Sequence, residues 1–127
     1  MKFRFKDFRV YQEAKAYSKF TRSITKQHID KADSGLAHQI QRASNSIVLN
    51  IAEGSADNSD IEFARFLGIA IRSVYETVAG FDLAAAYGLI KNELNKEVET
   101  KAHNLVKQLA AFRNKLKLPA NGPAKGH

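Results

Sequence analysis

From Phe8 onward, apolar residues recur every three or four positions, and the recurrence breaks and restarts three times. Phe8, Tyr11, Ala14, Tyr17, Phe20 and Ile24 form the first stripe, and Leu36, Ile40, Ala43, Ile47 and Ile51 the second. Phe63, Leu67, Ala70, Val74, Val78 and Phe81 form the third, and Leu94, Val98, Ala102, Leu105, Leu109, Phe112 and Leu116 the fourth. A period near 3.6 in all four, with no sustained alternation, predicts an all-α chain. The breaks are turn-rich: Asp30 to Gly35, Gly54 to Asp60, and a weaker one at Gly88 to Asn92. They leave helices of about 7–28, 35–54, 59–88 and 91–117, which as consecutive helices with short connections predict an antiparallel up-down-up-down four-helix bundle in a single domain, 1–117. Gly54 reads as the residue just past a helix end, Ser59 with Glu62 as a capping box, and Asn92 as an N-cap. The two prolines, Pro119 and Pro123, fall in a tail, 118–127, that has little to bury and is expected to be disordered.

The second stripe has a polar companion. Gln39, Arg42, Ser46, Asn50 and Glu53 step by three or four and form a narrow line on the same helix. Val48, Leu49 and Ala52 lie on its remaining faces, so the helix is apolar around most of its circumference, more than one small bundle can cover. The third helix repeats the theme with Ile69, Ile71, Tyr75 and Ala85 outside its main stripe and with Arg72 and Glu76 four apart. These positions predict a subunit interface and therefore a homo-oligomer. The alternative is an ordinary solvent-facing polar line.

Composition narrows the chemistry. The chain has 127 residues, enough for one core, and no cysteine, which removes disulfides, thiol nucleophiles and cysteine-based metal sites. Met1 to Phe8 mixes charged and aromatic residues without an apolar run, and Arg72, Glu76 and Asp82 interrupt the most apolar stretch. Neither a secretory leader nor a membrane span is expected, and a cytoplasmic setting is. The formal net charge is +7, and it is unevenly placed. Residues 1–28 carry eight Lys/Arg against two Asp/Glu and residues 91–127 carry eight against three, while the two middle segments are each mildly acidic. The first and last helices are neighbours in an up-down bundle, so the excess would make one basic face. That face is either a solvated surface or a footprint for phosphate backbones. The cations that would carry it are Lys2, Arg4, Lys6, Arg9, Lys15, Lys19, Lys101, Lys107, Arg113, Lys115 and Lys117.

Catalytic patterns are missing at the level of spacing. Thr25, Gly35 and Thr100 stand three before His28, His38 and His103, so no Glu-x-x-His pair of a di-iron bundle occurs. Zincin, phosphate-loop and serine-elbow motifs are absent as well. Arg42, Glu53 and Glu76 are the remaining grounds for a cryptic enzyme, and a structural ion pair is the simpler use of them. No cofactor or metal is expected.

The run Leu36-x-x-Gln39-x-x-Arg42-Ala43-x-x-Ser46-Ile47-x-x-Asn50-Ile51-Ala52-Glu53-Gly54 is followed by Glu62-Phe63-x-Arg65-Phe66-Leu67-x-Ile69-Ala70-x-x-Ser73-x-x-Glu76. With the opening Phe5-Lys-Asp-Phe-x-Val10-Tyr-Gln-x-Ala14, it resembles the bacterial four-helix-bundle family of the intervening-sequence proteins of large-subunit ribosomal RNA genes. The accessory variability determinants of diversity-generating retroelements are related to that family. The resemblance covers about 5–117. It implies an up-down bundle assembled as a homopentamer, with no known catalysis. For the retroelement relatives it implies a basic surface that binds nucleic acid and a reverse transcriptase. The family pattern falls here on Gln39, Arg42, Ser46, Asn50, Glu53, Gly54, Ser73 and Glu76. Two positions depart from it: Ser55-Ala56-Asp57-Asn58 lacks the basic residue common after the glycine, and Arg72 replaces a common glycine.

The leading expectation is therefore a non-enzymatic homo-oligomer, with a pentamer favoured, that acts as a binding or scaffold protein. RNA or DNA is its expected partner, bound through the first and last helices. An adaptor for an unidentified protein, with no nucleic-acid role, is the alternative. A helix-turn-helix around Gly54 is disfavoured by Asp57, Asp60 and the net −2 charge of each of the segments 29–58 and 59–90.

Overall fold

The computed structural model describes residues 2–56 and 59–118. The tail expected from 118 onward lies, apart from Leu118, outside the described residues. A 3₁₀ turn, Arg4–Asp7, leads into α1, Arg9–Ile24, which runs on as a single wider π-type turn over Thr25–Ile29. Then come α2, Ser34–Ser55, α3, Asp60–Ala86, and α4, Asn92–Leu116. The described residues contain no strand.

The helix ends show which local signals act. Asp33 accepts from Leu36 N at 3.0 Å and caps α2, and Ser59 accepts from Glu62 N at 3.2 Å and caps α3. Gly88, at φ +76°, ends α3. Its N–H bonds Ala85 O at 3.0 Å and Leu89 N–H bonds Ala84 O at 2.9 Å, the paired pattern of a left-handed helix terminus. Two expectations are corrected. Lys91, not Asn92, is the N-cap of α4, and Asn92 is its first helical residue. Gly54 lies inside α2, not past its end. A Cβ there would stand 2.7 Å from both Phe63 Cδ1 and Phe66 Cβ, so the glycine is required by the close approach of α3. Gly80 does the same from the other helix, where a Cβ would meet Ile40 Cγ1 at 2.5 Å.

These contacts also give the register. Gly54 faces Phe63, Ser46 faces Ser73, and Ile40 faces Gly80, so α2 and α3 run antiparallel. Phe8 against Phe112 and Phe20 against Lys101 do the same for α1 and α4. Each helix packs on two neighbours, which closes a four-helix bundle.

The core is divided. One apolar cluster holds Val10, Ala14, Ile47, Ile51, Phe63, Leu67, Val74, Leu105 and Leu109. The other holds Ile24, Ile29, Leu36, Ile40, Phe81, Ile90 and Val98. At their boundary the side chains are hydroxylic: Tyr17, Thr21, Ser44 and Thr77, all buried. Thr77 Oγ1 donates to Val74 O at 2.6 Å, which leaves Tyr17 as donor in the 2.8 Å contact between their hydroxyls. Thr21 donates likewise to Ser18 O, so Ser44 donates to Thr21 at 2.8 Å. A buried hydroxyl is tolerated when it is hydrogen-bonded, and each of these is. The π-type turn serves the second cluster. A five-residue step in an α-helix rotates the side chain by about 140° from its starting face. The wider turn instead returns Ile29 to the cluster that holds Ile24.

Candidate functional site

The polar line of α2 divides into two parts. Ser46 and Asn50 face α3: Asn50 Nδ2 donates to Ser46 O at 2.8 Å and to Ser46 Oγ at 3.0 Å. Ser73 Oγ lies 2.9 Å from Ser46 Oγ and 3.1 Å from Ile69 O. This cluster stitches the two helices together where small side chains let them approach. Gln39, Arg42 and Glu53 point away and are exposed on the single chain, as are Arg72 and Glu76. Among the described residues, none of Arg42, Glu53, Arg72 and Glu76 takes part in an ion pair. Arg42 and Glu53 are eleven residues apart on one helix, a separation of about 16 Å. The three residues singled out for a cryptic enzyme are thus not gathered into one site. Apolar residues are exposed as well: Leu49 at 57%, in the cavity beside α1 that holds Lys15 and Lys19, and on α3 Tyr75 at 66%, beside α4, and Leu83 at 46%.

The eleven cations of the predicted basic face have different surroundings. Arg4 is held in place: its Nε donates to Ser55 O at 3.0 Å, and its guanidinium lies 5.8 Å and 5.6 Å from the Phe8 and Phe63 ring centres. It thereby satisfies a carbonyl at the C-terminal end of α2, where a cation also suits the helix dipole. Arg113 is half-buried, with its Nη1 4.0 Å from where a Cβ on Gly68 would be, and its Nε is shielded from solvent without a hydrogen-bond partner. Lys2 pairs with Asp7 at 2.7 Å; that hydrogen bond, then the carboxylate charge, holds the ammonium pKa above the ordinary lysine value. Arg9 approaches Glu13 at 3.7 Å, and Lys101 lies over the Phe20 ring at 5.0 Å. Lys6, Lys15, Lys19, Lys107, Lys115 and Lys117 are exposed. Tyr17 is shifted as well: burial raises its phenol pKa, and the hydrogen bond to Thr77 offsets part of that rise.

Open grooves run along both sides of α1. On the α4 side they are lined by Glu13, Tyr17, Phe20, Lys101 and Gln108, and nearer the helix start by Asp7, Arg9 and Lys115. Both therefore mix acids with bases. On the α2 side two cavities, of about 540 and 470 Å³, share Arg22 and Gln41 and make one groove. Its α1 wall carries Lys15, Lys19, Arg22 and Lys26, and its α2 wall carries Ser34, His38, Gln41 and Asn45. Arg22 and Lys26 are absent from the predicted set, although the spacing 15, 19, 22, 26 places all four cations on one helix face. Among the described residues no group of three or more His, Cys, Asp or Glu is placed to hold a metal ion, and no helix is long and apolar enough to cross a membrane.

These features define an all-α bundle with a closed core and a groove beside its first helix lined by cations. The chain belongs to the 23S rRNA-intervening sequence protein family, whose model matches residues 6–111. It is similar in fold to a protein of unknown function from the S23 ribosomal protein family of Bacteroides thetaiotaomicron VPI-5482. That likeness has a TM-score of 0.73 at 20% identity and covers 86% of this chain and 99% of the other. A comparison with curated proteins gave no match.

Proposed function

We propose that the protein is a non-enzymatic homo-oligomer that assembles through α2 and α3 and binds nucleic acid through the basic surface of α1 and α4. The observation that carries the reading is the separation of the two surfaces. Exposed Tyr75 and Leu83 lie on the mildly acidic α3, while exposed Lys15, Lys19, Lys107 and Lys115 lie on the outer two helices. Large apolar side chains left exposed suit an interaction surface, and oligomerisation through α3 would cover Tyr75 and Leu83 without masking the cations. The family resemblance makes five the favoured number of copies. Assembly multiplies weak electrostatic contacts along one polyanion, so modest patches act together.

The test is a gel shift of labelled RNA and duplex DNA at low salt with micromolar protein. The expected result is binding that weakens steeply as salt rises and depends little on sequence. No shift with either nucleic acid, together with a nuclease-resistant protein partner in a pull-down, would replace this reading with the protein-adaptor alternative.

A further inference from the structure

The geometry points to the groove between α1 and α2 as the seat of a single-stranded nucleic acid, with phosphates along the α1 wall and a base facing Gln41 and Asn45. This rests on the nucleic-acid-binding reading above and gives it a place and a strand preference that the net charge does not.

Three observations carry it. The first is the cation ladder. Lys15, Lys19, Arg22 and Lys26 follow one another at steps of four, three and four along about 16 Å of α1 and the π-type turn that continues it. All four are exposed, and none takes part in an ion pair among the described residues. Asp30, at one end, is the sole carboxylate among the residues that line the groove. The grooves on the other side of α1 contain Asp7 and Glu13, so the positive potential is concentrated on the α2 side.

The second is the opposite wall. Ser34, His38, Gln41 and Asn45 match the ladder turn for turn and carry hydrogen-bonding groups without formal negative charge. Gln41 Nε2 donates to Asn45 Oδ1 at 3.2 Å, and Ser18 Oγ approaches the same oxygen at 3.5 Å. This arrangement commits Asn45 Oδ1 and leaves Asn45 Nδ2 as a donor and Gln41 Oε1 as an acceptor. Exchanging the amide orientations of both residues still leaves one donor and one acceptor.

The third is that Gln41 Oε1 is shielded from solvent with no hydrogen-bond partner, at the junction of the two cavities. A lone buried acceptor is unfavourable and gains from any donor that reaches it. Phosphates and carboxylates only accept, so in either amide orientation they serve the free donor and leave the acceptor unpaired, whereas base edges carry donors and acceptors side by side. A single strand can turn a base into a recess, and a duplex cannot without unpairing. Val48 and Leu49 supply an apolar floor at the Lys15 end, against which a base or ribose can lie.

The test is fluorescence anisotropy on the full-length protein with a labelled 12-nucleotide single-stranded RNA, its duplex, and a polyglutamate peptide as competitor. Arg22→Glu combined with Lys26→Glu should weaken single-strand binding at least 20-fold and abolish its preference over the duplex. Lys107→Glu combined with Lys115→Glu should weaken both forms alike, by about 3-fold. Gln41→Leu should lose 3- to 10-fold for the single strand with an unchanged salt slope, because it removes no phosphate contact. The wild-type slope of log K against log salt should be about −3, as four neutralised phosphates on a single strand predict. Thermal melting of each variant separates lost binding from lost folding. Equal losses for the two double variants, or wild-type affinity in Gln41→Leu, would overturn the groove while leaving a diffuse basic surface intact. Tighter binding of polyglutamate than of RNA would overturn the nucleic-acid occupant. No RNA binding by the wild type would overturn both readings.

Discussion

The contact between α2 and α3 and the contacts made by α1 are built from different residues. Where α2 meets α3, glycines and serines let the backbones approach until a single added methyl group would collide with Phe63, Phe66 or Ile40. Where α1 meets its neighbours, long side chains hold the helices apart, and grooves of several hundred Å³ remain on both sides. The difference separates two tasks. A close, neutral seam fixes the shape of the bundle and tolerates little change. A looser, charged seam has surface left to offer a ligand.

The largest expected effect breaks the close seam. Gly54→Ala places its Cβ 2.7 Å from Phe66 Cβ, an atom that cannot move without its backbone. It should lower stability by about 2–3 kcal/mol in denaturant unfolding. Gly68→Ala, on the facing helix α3, sharpens the comparison by reversing the sign. Among the described residues its new Cβ would meet only Arg113 Nη1, at 4.0 Å, so better helix propensity should stabilise the protein by about 0.5–1 kcal/mol. If both substitutions destabilise equally, the close approach at Gly54 is not what its glycine serves.

Arg4→Ala comes next, at about 1 kcal/mol, the worth of a charge-assisted bond to the Ser55 carbonyl in a partly exposed place. It should lower the melting temperature more than Lys6→Ala two residues on, whose side chain is exposed. Equal small effects from the two would return Arg4 to the general basic surface.

Tyr17→Phe probes the hydroxyl layer. Thr77 keeps its bond to Val74 O, so the loss at neutral pH should be about 0.5–1.5 kcal/mol. Burial raises the Tyr17 pKa in the folded protein, so above pH about 10 the unfolded chain releases this proton more readily than the folded one. The stability from Tyr17 is therefore full below pH 10 and is lost as the pH climbs beyond it. Phe at this position should flatten that alkaline decline. The smallest effect belongs to the surface pair Glu62 and Arg65, where Arg65→Ala should cost about 0.3 kcal/mol, less at high salt.

Much of the architecture is legible from periodicity. Four stripes gave four helices because one-sided burial is a local pattern, and Ser59 was recognisable as a cap because capping acts over three residues. What escaped depends on neighbours distant in sequence. Gly54 looks like a helix terminator because a glycine after an apolar stripe has that meaning locally, and its reason is Phe63 and Phe66 on another helix. Ile29 sits five residues from Ile24, a spacing that no α-helical template rewards, and a π-type turn makes it core. Counting charge finds cations but not their surroundings, so it groups Arg4, which binds a carbonyl, with Lys6, which has no such partner among the described residues. The ladder at 15, 19, 22 and 26 was visible as spacing. Its meaning depended on the uncharged wall of α2 opposite.

Whether the apolar residues of α2 and α3 are covered by further copies is decided most directly by light scattering at tens of micromolar protein, in a salt concentration that screens the basic surface. Assembly through this face predicts a mass several times 14.2 kDa, five times for the favoured pentamer, falling on Tyr75→Glu combined with Leu83→Glu without loss of helical signal. A wild-type mass of 14.2 kDa would contradict it.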